Sequence, residues 1–157
     1  MADKEVLLTP EGLKDLEAEL EVLKTVKRRQ VAERIRTSLE FGDISENAEY
    51  DDAKNEQAFI EGRIITLEKM LRNARVIQAD EDETTVSIGK RVTLKDLETS
   101  DVFEYQLVGS AEADPAKAKI SNESPVGRAI LGKTAGTVVE VEVLDGVLQY
   151  EIIKVAR

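Results

Sequence analysis

The chain has 157 residues, a formal net charge of -10 from 32 acidic and 22 basic side chains, no cysteine and no histidine. The length suits one ordinary domain or two small ones. The missing residue types exclude disulfides, thiolate chemistry, histidine–metal sites and histidine acid–base catalysis. A globally acidic surface repels phosphate, so contact with nucleic acid must come from a local patch or through a partner. Aromatic residues are only 4% of the chain, so a small, mostly aliphatic globular core is expected. There is no signal peptide and no apolar run of spanning length, and the expectation is a cytoplasmic protein with no membrane contact.

In chain order, Val6-Leu7-Leu8 leads into Thr9-Pro10-Glu11. Threonine suits a helix N-cap, proline the first helical position and glutamate the first turn. Leu13, Leu16, Leu20 and Leu23 then step by 3, 4 and 3, a coiled-coil seam. The phase changes after Leu23, with Lys27 where a heptad wants an apolar residue, and the seam resumes through Val31, Ile35 and Leu39. The spacing predicts a first helix of roughly 45 Å. A second helix carries a regular heptad seam through Ala53, Gln57, Ile60, Ile64, Leu67, Leu71 and Ala74. The two should lie antiparallel around a short tip at residues 41–47, with small or polar facing residues near that tip. Around Arg75 to Glu83 the character changes. Asp80-Glu81-Asp82-Glu83 reads as a solvated run, either linker or turn. Strands are expected at Thr85–Ile88, Val92–Leu94, Phe103–Leu107, Val138–Leu144 and Val147–Val155, the last two joined by Asp145-Gly146. Ser124-Pro125 should cap a short helix that Gly132 ends. The expected fold class is α+β: a coiled-coil finger over 1–76 and a small antiparallel-sheet domain with one short helix over 77–157.

Two constellations carry possible chemistry. Asp43 and Glu46 are three residues apart at the tip. A second helix starting near residue 44 would make them N-cap and N3, a capping-box spacing. The same two carboxylates could instead hold a hard cation such as Mg²⁺, but only as half a site, leaving most octahedral positions to other ligands. Lys24, Lys27, Arg28, Arg29, Arg34 and Arg36 form a local charge reversal against the single acid Glu33. It is either a solvated face balanced by glutamates of the second helix or a stripe that guides phosphates toward the tip.

Gly42-Asp43-Ile44-Ser45-Glu46-Asn47-Ala48-Glu49-Tyr50, followed by Ala53-Lys54 and Glu61-Gly62-Arg63-Ile64, resembles the signature of the bacterial transcript cleavage factors of the Gre family. Ile120-Ser121-Asn122-Glu123-Ser124-Pro125-Val126-Gly127, continuing to Leu131-Gly132-Lys133, resembles that family's second motif. The resemblance spans essentially the whole chain. Departures are Ile44 for a leucine, Asp51-Asp52 after the tyrosine, and Gly136-Thr137 for glycine-aspartate. The resemblance implies an FKBP-like C-terminal domain that docks on RNA polymerase through the loop around Ser124 and Pro125. It also implies a finger that enters the secondary channel. Asp43 and Glu46 would there help hold a catalytic Mg²⁺ jointly with the polymerase, assisted by Ser45. Lys27, Arg28, Arg29, Arg34 and Arg36 would face RNA or the channel wall. The polymerase would then hydrolyse the 3′ end of backtracked RNA, with this chain, a monomer, acting as stimulator and not as an enzyme. The alternative is a non-cleaving regulator that blocks the channel; only two acids in the tip segment favour cleavage. A prefoldin-like adaptor is a third reading, and it leaves the second motif unexplained.

Overall fold

The computed structural model describes residues 4–40 and 47–157. The chain divides into two compact units, Lys14–Asn73 and Met1–Leu13 with Ala74–Arg157. The division differs from a boundary at 76/77 because two short strands unforeseen in the sequence, β1 (Val6–Leu8) and β2 (Ala74–Val76), pair in parallel within the second unit.

The first unit is a two-helix hairpin. Its leading helix comprises α1 (Pro10–Val22), whose first four residues are counted with the second unit, a five-residue π-helical turn (Leu23–Lys27) and α2 (Arg28–Glu40). The phase change read from the sequence has a local cause here. Leu23 and Val31 are one heptad plus one residue apart, and the wider turn absorbs the extra residue: Arg28 N–H bonds Leu23 C=O, an i→i−5 link. Lys27 therefore faces solvent, and Val31 is returned to the seam, where it packs with Ile60, Ile64, Leu20 and Leu23. The trailing helix is α3 (Ala48–Arg72). Ion pairs run Glu19–Arg63, Arg28–Glu61 and Arg34–Glu56, so residue numbers on α3 fall as those on the leading helix rise, and the helices are antiparallel. Toward the tip the seam departs from the expected Leu39, which is 42% exposed. Ser38 is buried in its place and Ala53 is buried on α3, so the small residues lie where the helices approach the tip.

The second unit holds a five-stranded sheet in the order β5-β4-β3-β7-β6, with β3 (Arg91–Asp96), β4 (Val102–Val108), β5 (Lys119–Ser121), β6 (Val138–Val143) and β7 (Gly146–Ala156). All neighbours are antiparallel except β4–β5, so the sheet is mixed at one edge. A register shift at Thr93/Leu94 against β7 adds curl. Helix α4 (Pro125–Ile130) contributes Ile130 to an aliphatic core with Val92, Leu94, Leu107, Val139 and Ile152. The expected strand at Thr85–Ile88 does not form. Val86 and Ile88 do point inward, but the backbone bonds go to the loop after α4, and only Thr85 bridges, to Thr134. The β6–β7 turn is Leu144-Asp145, one residue earlier than the aspartate–glycine pair suggested, because Gly146 already pairs with Val143. The acidic run is also more than solvated. Asp80 lies 2.6 Å from Nζ of Lys90, whose side chain is 1% exposed, and Lys90 also donates to Thr85 C=O at 2.9 Å.

Candidate functional site

Asp43, Ser45 and Glu46 lie outside the described residues; the residues that hold the ends of their segment lie inside. The N-cap of α3 is Asn47, whose side-chain oxygen accepts from Tyr50 N–H at 3.1 Å. The capping-box reading of Asp43 and Glu46 is therefore corrected: the N-cap of α3 is Asn47, and the helix starts four residues later than that reading required. The Asn47 amide also donates to Ser38 C=O across the hairpin at 2.6 Å. Ser38 is itself tied down by its hydroxyl, which donates to Ile35 C=O at 2.8 Å. Among the described residues no group of three or more acids is arranged to hold a metal ion.

The basic stripe divides in two. Arg28 makes a bidentate pair with Glu61, both bonds at 2.8 Å, which holds the Glu61 carboxyl below its usual range. Arg34 binds Glu49 at 2.6 and 3.1 Å and also pairs with Glu56. Lys24 stands 4.0 Å from Glu68. These three follow the solvated-face reading, with glutamates of α3 as counter-charges. Lys27, Arg29 and Arg36 are exposed, and none pairs with a described residue. Arg29 and Arg36, seven residues apart, share one face of α2.

In the second unit, Ser124 caps α4 as expected: its hydroxyl accepts from Gly127 N–H at 3.1 Å and donates to Ser121 C=O at 2.6 Å. Pro125 occupies the first helical position and is exposed. Any β-carbon at Gly127 would overlap the Ser121 carbonyl, so the turn closes only around glycine. Glu123 braces the loop from outside. It accepts from Ser110 Oγ at 2.7 Å and pairs with Lys4, and these partners, Lys4 foremost, hold its carboxyl below the usual range.

Two family models divide this chain between them. Residues 6–76 match "Transcription elongation factor, N-terminal" and residues 81–157 match "Transcription elongation factor, GreA/GreB, C-term". The chain belongs to the GreA/GreB family of transcription elongation factors. Full-length relatives include Transcription elongation factor GreA of Alkaliphilus oremlandii, 60% identical over 100% of this chain and 99% of its own length. Another is Transcription elongation factor GreA of Acetivibrio thermocellus, 59% identical over 99% and 98%. Among solved structures, GreA factor homolog 1 (Gfh1) of Thermus thermophilus is 28% identical over 98% of this chain and 100% of its own, with a TM-score of 0.44.

Sequence reasoning missed two parts of this GreA/GreB-family chain. One is Asn47, whose signal is local and plain: asparagine is a leading N-cap residue. The other is Glu112, which reaches Thr9 from 103 positions away. Its carboxylate accepts from Thr9 N–H and from Thr9 Oγ1, each at 2.6 Å, while Thr9 Oγ1 accepts from Gly12 N–H at 3.1 Å. This is a capping box whose acid comes from elsewhere in the chain instead of from N3. No local pattern encodes it. No helix among the described residues is long and apolar enough to cross a membrane.

Proposed function

We propose that this chain is a transcript cleavage factor that inserts its finger into the secondary channel of RNA polymerase and stimulates hydrolysis of backtracked RNA. The supporting observation is that α3 is capped by Asn47. The N-cap place belongs to Asn47, and Asp43 and Glu46 lie in sequence between the two helices of an ion-paired hairpin. Two carboxylates are hard donors suited to Mg²⁺, and too few to hold it alone. Asp43 and Glu46 would supply part of its coordination, and the polymerase the rest. Such an ion, when bound, neutralises phosphate charge and activates water. Ser45 would orient groups by hydrogen bonding. The Ser124-Pro125 turn would carry the docking contact. Lys27, Arg29 and Arg36, which pair with no described residue, would face RNA or the channel wall; Arg28 and Arg34 would chiefly brace the finger. The chain works as a monomer and has no hydrolytic activity of its own.

The test is a stalled elongation complex with Mg²⁺ and purified protein. Shortened RNA is expected. Asp43→Ala and Glu46→Ala should each lower the cleavage rate at least roughly 100-fold while polymerase binding survives. Cleavage unchanged in both variants would remove the mechanism. Slowed nucleotide addition on unstalled complexes, without cleavage, would identify a channel blocker instead.

A further inference from the structure

A helix cap needs only an acceptor at its N-cap, and serine or aspartate provides one as well as asparagine does. Asn47 uses both halves of its amide. Oδ1 accepts from Tyr50 N–H, and Nδ2 donates to Ser38 C=O at 2.6 Å. Ser38 lies in the last turn of α2, where carbonyls have no partner within the helix. It is 2% exposed, and its hydroxyl is fixed to Ile35. One turn below, Arg34 of α2 holds Glu49 and Glu56 of α3. The two helices are thus joined side by side up to Asn47. The segment bearing Asp43, Ser45 and Glu46 begins within three residues of Ser38 and ends at the residue bonded to it.

We propose that Asn47 is a positioning residue for transcript cleavage, its side chain stapling the start of α3 to the last turn of α2 and so fixing the ends of the carboxylate-bearing segment. The inference rests on the roles given to Asp43 and Glu46 above. Glu46 is joined by a peptide bond to the stapled residue, so a change in the staple passes to it directly. A displacement of about 1 Å in a reacting constellation costs roughly 100-fold in rate.

Asn47→Ser keeps an acceptor for Tyr50 and gives up the reach to Ser38. Asn47→Asp keeps a strong cap, cannot donate, and covers the case in which the serine variant frays. Four quantities are measured on the full chain: helix content, polymerase affinity, cleavage rate at saturating protein, and the Mg²⁺ concentration for half-maximal cleavage. The expected result is near-native helix content and affinity, a cleavage rate lower by roughly 10- to 100-fold, and a raised Mg²⁺ requirement. Native cleavage in either variant would overturn the proposal. So would a loss that vanishes on cooling to a temperature where the helices are fully formed, which would mark a purely structural role. Asp43→Ala in the same assay separates the levels. If it too cleaves normally, the underlying reading fails. If it is dead while Asn47→Ser is native, only the staple fails.

Discussion

Alanine for Gly12 should change sign with its background. Gly12 is the third residue of α1, where helix propensity favours alanine by about 0.5–1 kcal/mol. A β-carbon there would, however, overlap the Glu112 carboxylate. Glu112 can swing away, but it would then give up its bonds to Thr9 N–H and Oγ1. Thr9 is 3% exposed, so water replaces those bonds poorly. Hydrogen bonds to a charged group contribute about 1.5–3 kcal/mol, and for two that share one carboxylate roughly 2–3 kcal/mol together is reasonable. Gly12→Ala should therefore destabilise the native protein by roughly 1–2 kcal/mol and stabilise a Glu112→Ala protein by about 0.5–1 kcal/mol. The coupling in the double-mutant cycle is then roughly 2–3 kcal/mol. Urea unfolding followed by tyrosine fluorescence suits the measurement, since Tyr105 and Tyr150 pack against the globular core. Stabilisation by alanine in both backgrounds would refute the idea that Gly12 is kept bare for a carboxylate.

Two further outcomes follow from charges in the globular unit. Asp80→Asn takes from the buried Lys90 ammonium its ion-pair partner at 2.6 Å and leaves it the Thr85 carbonyl and the more distant Asp82 charge, whereas Lys90→Met removes the buried charge and leaves Asp80 in water. Thermal melts should rank Asp80→Asn as the less stable; the reverse order would show that Lys90 does not depend on Asp80. Acid should act through carboxylates held low. Hydrogen bonds from Thr84 lower Asp82 to about 2, Lys90 lowers Asp80, and in the finger Arg63 lowers Glu19. A depressed folded-state value gives stability that is complete above the ordinary carboxylate range and lost as pH falls through the folded value. The Asp82 contribution should therefore fade between 3.8 and about 2, and Thr84→Val should flatten that part of a stability–pH profile. A native profile level down to pH 2 would contradict the assignment.

The finger was legible because its seam is local: Leu16, Ile60, Ile64 and Leu67 are buried at the positions their spacing marks. Periodicity was a poorer guide elsewhere. Past the π-helical turn the buried face runs from Val31 to Ser38, one heptad on, whereas the expected steps of four through Ile35 carry Leu39 off that face. In the globular unit the alternation at Val86 and Ile88 correctly marked inward side chains, but inward side chains do not require a ladder, and there the backbone found other partners. Of the site, Ser124 was legible because its cap is local. The division of the basic stripe was not: which arginines are neutralised depends on the register between two helices, and composition does not carry that.

The five-residue turn at Leu23–Lys27 has a bearing on chain length. A relative lacking one residue between Leu23 and Val31 could run as an uninterrupted α-helix there and keep both halves of its stripe against the opposite helix. Gaps of one position in that stretch should therefore be neutral when sequences of this group are aligned. The same gap on the α3 side, where no slack is stored, would rotate every side chain beyond it by about 100°.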